Sequence, residues 1–289
     1  AAGELDASRS LLSAAAESID LPSVRLIPQV AVQLARIQHR LGDVESRFEN
    51  FKAAASHYES ALVSFGALEQ SVDRTPTLPE RSIAALKLAI VLNREGSERA
   101  RAACIDACSL NQEAASAGDL EASERSAEAY RELAACLTRL GDVSRSIDAE
   151  VTRCEILSQL AADRTADTDA GRVAGGAWLR LAILHTHVEN WVDSAEAAER
   201  AIRSLRPVAE SPDGNITDQL TLVEAELLQM TARVSGSSGT VGAKELRTIE
   251  QQILMIDVAA PGAEPSHRER QQQLLFQCRQ LIDAALSDE

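Results

Sequence analysis

The stretch "LARIQHRLGDV" at Leu34–Val44 returns 99 residues later as "LAACLTRLGDV" at Leu133–Val143. Such an echo marks either two related domains or copies inside a repeat array, and the spacing between copies decides. The pair Leu-Ala occurs at Leu34-Ala35, Leu88-Ala89, Leu133-Ala134 and Leu181-Ala182, with Gly42, Gly96, Gly141 and Glu189 each seven residues after the Ala. The steps are 54, 45 and 48 residues, and another 47 from Leu181 reaches Leu228, with Gly236 eight residues beyond it. Four copies and a degenerate fifth make the chain a repeat array.

Each unit reads as helix, turn, helix. Tyr130, Leu133, Ala134 and Leu137 have the i, i+3, i+4, i+7 spacing of one buried helical face. Gly141 suits the left-handed residue that ends a helix, and Asp142 can cap the next one by accepting a backbone N–H. The small Ala beside each Leu lets two helix backbones approach closely. Breaker residues punctuate the units in "SIDLPSVRLIP" from Ser18, "DRTPTLPE" from Asp73, "ADRTADTDAGRVAGG" from Ala162 and "ESPDGNIT" from Glu210. Thr77 and Glu80 have capping-box spacing. The run "SGSSGTVG" from Ser235 separates the helices of the fifth pair.

The expected architecture is all-α: a half-repeat over residues 1–20, helix pairs over 24–72, 78–117, 119–164, 170–209 and 216–258, and a capping helix over 265–287. The first segment resembles only the second half of a unit. A repeat cannot bury its apolar face alone, so a longer parent protein is expected. Leu274, Leu275, Cys278, Leu281 and Ile282 give the last helix one apolar face.

Composition agrees. The 289 residues are 45% hydrophobic but only 3% aromatic, which favours closely packed helices over a β-sandwich. A net charge of -15 without a basic cluster argues against a nucleic-acid partner. The longest nearly apolar run, "SIAALKLAIVL" from Ser82, is too short for a bilayer, so no membrane partner is expected. Five dispersed cysteines, Cys104, Cys108, Cys136, Cys154 and Cys278, read as reduced core residues of a cytoplasmic protein.

The pattern resembles the tetratricopeptide repeat. Its bulky residue, Leu, small residue, Gly-acidic turn and second-helix small residue are matched by Tyr130, Leu133, Ala134, Gly141 and Asp142 in unit three. Unit four offers Trp178, Leu181, Ala182 and Ala201, and unit one offers Leu34, Ala35, Gly42, Asp43, Phe51 and Ala54. Ala31 and Ala85 depart from the bulky residue, and Glu189-Asn190 stands where Gly-Asp belongs. The units exceed the usual period of about 34 residues, as in kinesin-light-chain-like arrays. The resemblance implies a right-handed superhelix, an α-solenoid of about five antiparallel helix pairs, whose first helices line a concave groove for a peptide or partner helix.

Groove positions carried over from that resemblance are Gln29, Val32, Arg36 and His39, then Leu86, Ile90 and Asn93, then Glu128, Arg131 and Thr138, then Leu179, Ile183 and Thr186. The core of this set is Arg36, His39, Leu86, Ile90, Asn93, Arg131, Leu179 and Ile183. An apolar stripe between two arginines suits an extended peptide with an acidic group. The alternative is that Arg36 and Arg131 make ordinary surface ion pairs.

Catalytic constellations are lacking. Cys104 and Cys108 alone leave a zinc site incomplete, and His185 and His187 sit two apart on different sides of a helix. Trp178 and Trp191 read as packing anchors, and Asn215 in "NIT" as a loop with Thr217 capping the next helix. The expected function is therefore a non-catalytic scaffold, with no cofactor or metal, docking a protein or peptide. A ligand-sensing regulatory domain of a larger signalling protein is one rival. A homo-oligomerisation module is another.

Overall fold

Ala, Leu and long-chain residues at helical spacing, with few β-branched runs, dictate helices, and the computed structural model contains only helices among its described residues. Those residues are 2–19, 28–68, 77–119, 121–164, 167–212, 214–236, 243–258 and 263–287. The helices are α1 (Ala2–Ile19), α2 (Pro28–Arg47), α3 (Phe51–Leu68), α4 (Leu78–Glu95), α5 (Ala100–Ser116) and α6 (Ala122–Arg139). There follow α7 (Val143–Asp163), α8 (Thr168–His187), α9 (Trp191–Ala209), α10 (Ile216–Ser235), α11 (Ala243–Met255) and α12 (Pro265–Ser287). Residues 20–27 of the first breaker stretch, 73–76 of the second, 165–166, 213, and 237–242 of the glycine-serine run lie outside the described set.

Two units divide within α7: Ala1–Arg153 and Cys154–Glu289. In the first, each helix from α1 to α5 packs on the next in sequence, and α4 also touches α6. In the second, α8 packs on α9, α9 on α10 and α11 on α12, while α10 touches α8 and α12. Alternating first and second helices of this kind form a helical-repeat stack.

One turn recurs. The first helix of each of four pairs ends at a left-handed residue: Glu49 (φ 60), Gly96 (φ 74), Gly141 (φ 77) and Glu189 (φ 57). The next N–H then reaches the carbonyl five residues back: Asn50 to Glu45 at 2.9 Å, Ser97 to Leu92 at 3.0 Å, Asp142 to Leu137 at 2.9 Å and Asn190 to His185 at 2.9 Å. This six-residue closure satisfies carbonyls that the helix end would orphan. Steps between the left-handed residues are 47, 45 and 48. Gly236, 47 further on, also ends a helix but at φ -81.

That register corrects the first copy. Gly42 lies inside α2 and is no turn, because the helix continues to Arg47. Leu41-Gly42 therefore takes the place of Leu133-Ala134, and Leu34-Ala35 sits two helical turns too early. The echo "LGDV" names a buried seam in one unit and a turn in another.

Small residues recur at two positions of the first helices. Ala35, Ser82, Ala127 and Gly175 stand at one, and Gly42, Ala89, Ala134 and Ala182 at the other, all buried within their own units. In units three and four the seam carries a hydrogen-bonded clasp. Ser146 Oγ donates to the Ala134 carbonyl at 2.9 Å and shares a 2.7 Å bond with Thr138 Oγ1. Ser194 Oγ, Ala182 and Thr186 repeat it at 3.0 and 2.8 Å.

Two expected caps differ. Thr77 precedes α4 but its side chain makes no capping bond, and Glu80 instead accepts from Arg36. Asn215, not Thr217, caps α10, in a reciprocal box with Asp218.

Candidate partner-binding surface

With the register set by the left-handed turns, His39, Leu86, Arg131 and Leu179 occupy one repeat position, as do Asp43, Ile90, Ala135 and Ile183. Ser46, Asn93, Thr138 and Thr186 form a third row. Gln29, Val32 and Arg36 lie nearer the start of α2 than their supposed equivalents, and Glu128 precedes the first row by three residues.

Most of the expected groove set is already occupied by the fold. Leu86 and Leu179 are each only 6% exposed and serve the core. Arg36 Nη2 pairs with Glu80 at 2.7 Å, joining α2 to α4. Arg131 pairs with Glu128 at 2.7 Å and Glu132 at 3.2 Å on its own helix. Both arginines are thus neutralised, as in the ion-pair alternative. Asn93 Nδ2 donates to Glu132 Oε2 at 2.9 Å and to the Glu132 carbonyl at 3.2 Å. Thr138 and Thr186 are spent in the seryl clasps. Ile90 and Ile183 are half-buried, in separate units.

His39 is half-buried, with its ring 5.7 Å from that of Tyr58. Burial, and next the Lys87 ammonium, hold its pKa below the ordinary imidazole value. It is neutral near pH 7 and offers no charge to a partner.

One cleft of the first unit, of about 260 Å³, opens between the first helices α2 and α4 and is floored by Tyr58 of α3. Its lining includes Asp43, Ser46, Arg47, Lys87, Ile90 and Arg94. Asp43 organises it, accepting Tyr58 Oη at 2.7 Å and Lys87 Nζ at 2.6 Å. Burial and the Asp43 carboxylate push the Tyr58 phenol far above its usual range, so the hydroxyl stays a donor. The sequence reading missed Asp43 and Arg47 because it placed Gly42-Asp43 in a turn, and Lys87 and Arg94 of α4 stood outside the positions carried over from the resemblance. The signal was present in Phe48-Glu49-Asn50-Phe51 and Val188-Glu189-Asn190-Trp191, two turns of like composition.

Other clefts follow the aromatic position of the repeat. Ala85 stands there in α4, and a cleft of about 430 Å³ opens beside it, towards α3 and α5. Tyr130 fills the position in α6, bonded to Gln112 at 3.0 Å, and the cleft towards α5 and α7 is about 230 Å³. In the second unit Trp178 donates Nε1 to Ser158 at 2.8 Å, with Arg200 stacked 4.6 Å above the ring.

Cys104, Cys108, Cys136, Cys154 and Cys278 are all buried thiols. His185 is buried and His187 exposed. Among the described residues no three His, Cys, Asp or Glu side chains gather as metal ligands. None of their helices is long and apolar enough to cross a membrane.

No family model matches the chain, and neither does any curated protein. Among solved structures it is similar to that of BtubC (BKLC) from P. vanneervenii, at 14% identity over 99% of this chain and 93% of that one, with TM-score 0.50. It is also similar to the apo form of RapI, at 14% identity over 91% of this chain and 64% of RapI, with TM-score 0.53. The fold is a tetratricopeptide-type helical repeat. Steps of 47, 45 and 48 residues between turns make its repeats longer than the usual period of about 34. At this level of identity the likeness concerns the fold alone.

Proposed function

We propose that the chain is a non-catalytic scaffold whose first-helix face docks a protein segment. The observation that carries this reading is the cleft between α2 and α4. Among the clefts of the first unit this one, of about 260 Å³, combines an apolar floor of Ile90 and Tyr58 with Asp43, Lys87, Arg47 and Arg94 converging on it from two first helices. Concave sites with an apolar floor and a few convergent polar groups are where ligands lodge. Repeat stacks present such sites in rows to extended partners.

The experiment is selection from a phage-displayed peptide library, followed by binding measurements on the wild type and on Ser46→Trp, which fills the cleft. The reading expects enriched peptides whose binding is lost in Ser46→Trp while its melting curve is unchanged. Peptides that bind both proteins equally would move the docking face elsewhere.

A further inference from the structure

Arg47, Arg94 and Arg139 share one repeat position, two residues before the left-handed Glu49, Gly96 and Gly141. Each lies in the last turn of a first helix, where a cation favours the negative helix end. Arg139 is also used internally, donating Nη1 to the Asn93 carbonyl at 2.6 Å. Arg47 and Arg94 are exposed, and among the described residues neither forms an ion pair or a side-chain hydrogen bond.

Both line the α2–α4 cleft with Lys87, and the single acidic lining residue is Asp43. The cleft thus carries three cations against one anion in a chain whose net charge is -15. Screening confines electrostatics at physiological salt to about 8 Å, so the lining cations, set against the nearby exposed Glu49 and Glu95 rather than the whole acidic surface, govern what approaches.

We propose that this edge binds a run of carboxylates on an extended segment of a partner protein, a specificity that rests on the scaffold reading above. Arginine grips a carboxylate through two parallel N–H bonds, and two unpaired guanidiniums flanking Lys87 supply several such sites. Ile90 and the edge of Tyr58 give the segment an apolar floor. A nucleic acid is disfavoured, since a polyanion of that size would reach the acidic surroundings.

The test uses fluorescence anisotropy with a labelled peptide of alternating Glu and Leu, its Gln-for-Glu counterpart, and a labelled single-stranded oligonucleotide. The whole chain is compared with Arg47→Glu/Arg94→Glu, with the milder Arg47→Gln/Arg94→Gln, and with Arg233→Glu/Arg268→Glu as a charge-matched control. The Glu peptide is expected to bind more tightly than the Gln peptide and to weaken with salt. Its affinity should fall about tenfold or more in both Arg47/Arg94 variants and stay unchanged in the control. Equal binding of Glu and Gln peptides would overturn acidic recognition while leaving peptide docking intact. Glu-peptide binding undiminished by either variant, or an absence of Glu-peptide binding, would also overturn it. An oligonucleotide that binds more tightly and is lost in the same variants would assign the edge to nucleic acid instead.

Discussion

Gly42 of α2 abuts the ring of Tyr58 of α3 so closely that a methyl group on Gly42 would lie 2.6 Å from Tyr58 Cε1. Tyr58 cannot retreat easily, because it is buried and its hydroxyl is held by Asp43 at 2.7 Å. Gly42→Ala should therefore destabilise the protein by about 1–3 kcal/mol through overpacking, read from the urea midpoint. Gly141→Ala meets open space but keeps φ 77, so it should cost only the left-handed strain, about 1–2 kcal/mol.

Glutamate in a left-handed conformation is unfavourable, and Glu49 and Glu189 both adopt it. Replacing either by Gly removes that strain but adds unfolded-chain entropy. Each substitution should raise stability by about 0.5–1 kcal/mol. A lower melting temperature in both would contradict the shared turn.

The fold's class was plain in the sequence because small residues and turns recur at a nearly constant period. The register of the first unit was not, since Leu34-Ala35 and Leu41-Gly42 are both Leu-small pairs, seven residues and two helical turns apart. A heptad slip of this kind returns the same face to the core, so periodicity cannot see it. It moved the groove set with it. One dimension left Arg36 and Arg131 open to either a partner or an ion pair; Glu128 and Glu132 lie beside Arg131 in sequence, whereas only the fold brings Glu80 to Arg36 at 2.7 Å. Ala85 was visible as a departure from the bulky residue, but the cleft it leaves depends on neighbours from α3 and α5.

Asp218 is 2% exposed and receives Arg172 Nε at 2.6 Å and Nη2 at 2.9 Å, tying α8 to α10. Burial opposes its ionisation, but the Arg172 bonds outweigh it and hold the pKa below the ordinary carboxylate value. Arg172 would keep Asp169 as a partner, so Asp218→Ala should cost about 1–3 kcal/mol, through loss of the Arg172 bonds and of the box with Asn215. The midpoint of urea unfolding measures it.

The histidines add a second pH window. Burial lowers the pKa of His39, His57 and His185 below 6.5. The unfolded chain then takes up protons before the folded one does, so stability is full above pH 6.5 and falls as the pH drops below it. Melting temperature should decline from about pH 7.5 to about pH 5.5, and His39→Gln with His185→Gln should flatten that slope. The Asp218 contribution is lost only at still lower pH, below the usual carboxylate range.

Burial pushes the Cys104 and Cys108 thiols up to about 12 and the Cys278 thiol up to about 11. Thiolate is the reactive form, so Ellman's reagent should modify these residues only after unfolding in guanidinium. Rapid reaction of the native protein at any of them would contradict the core assignment.

The most direct test of the docking claim is amide chemical-shift mapping with a selected peptide. Shifts are expected to concentrate at Ser46, Arg47, Lys87, Ile90 and Arg94, at the ends of α2 and α4, with little change in Cys154–Glu289. Shifts confined to the second helices α3 and α5, or to the second unit, would contradict the first-helix surface as the docking face.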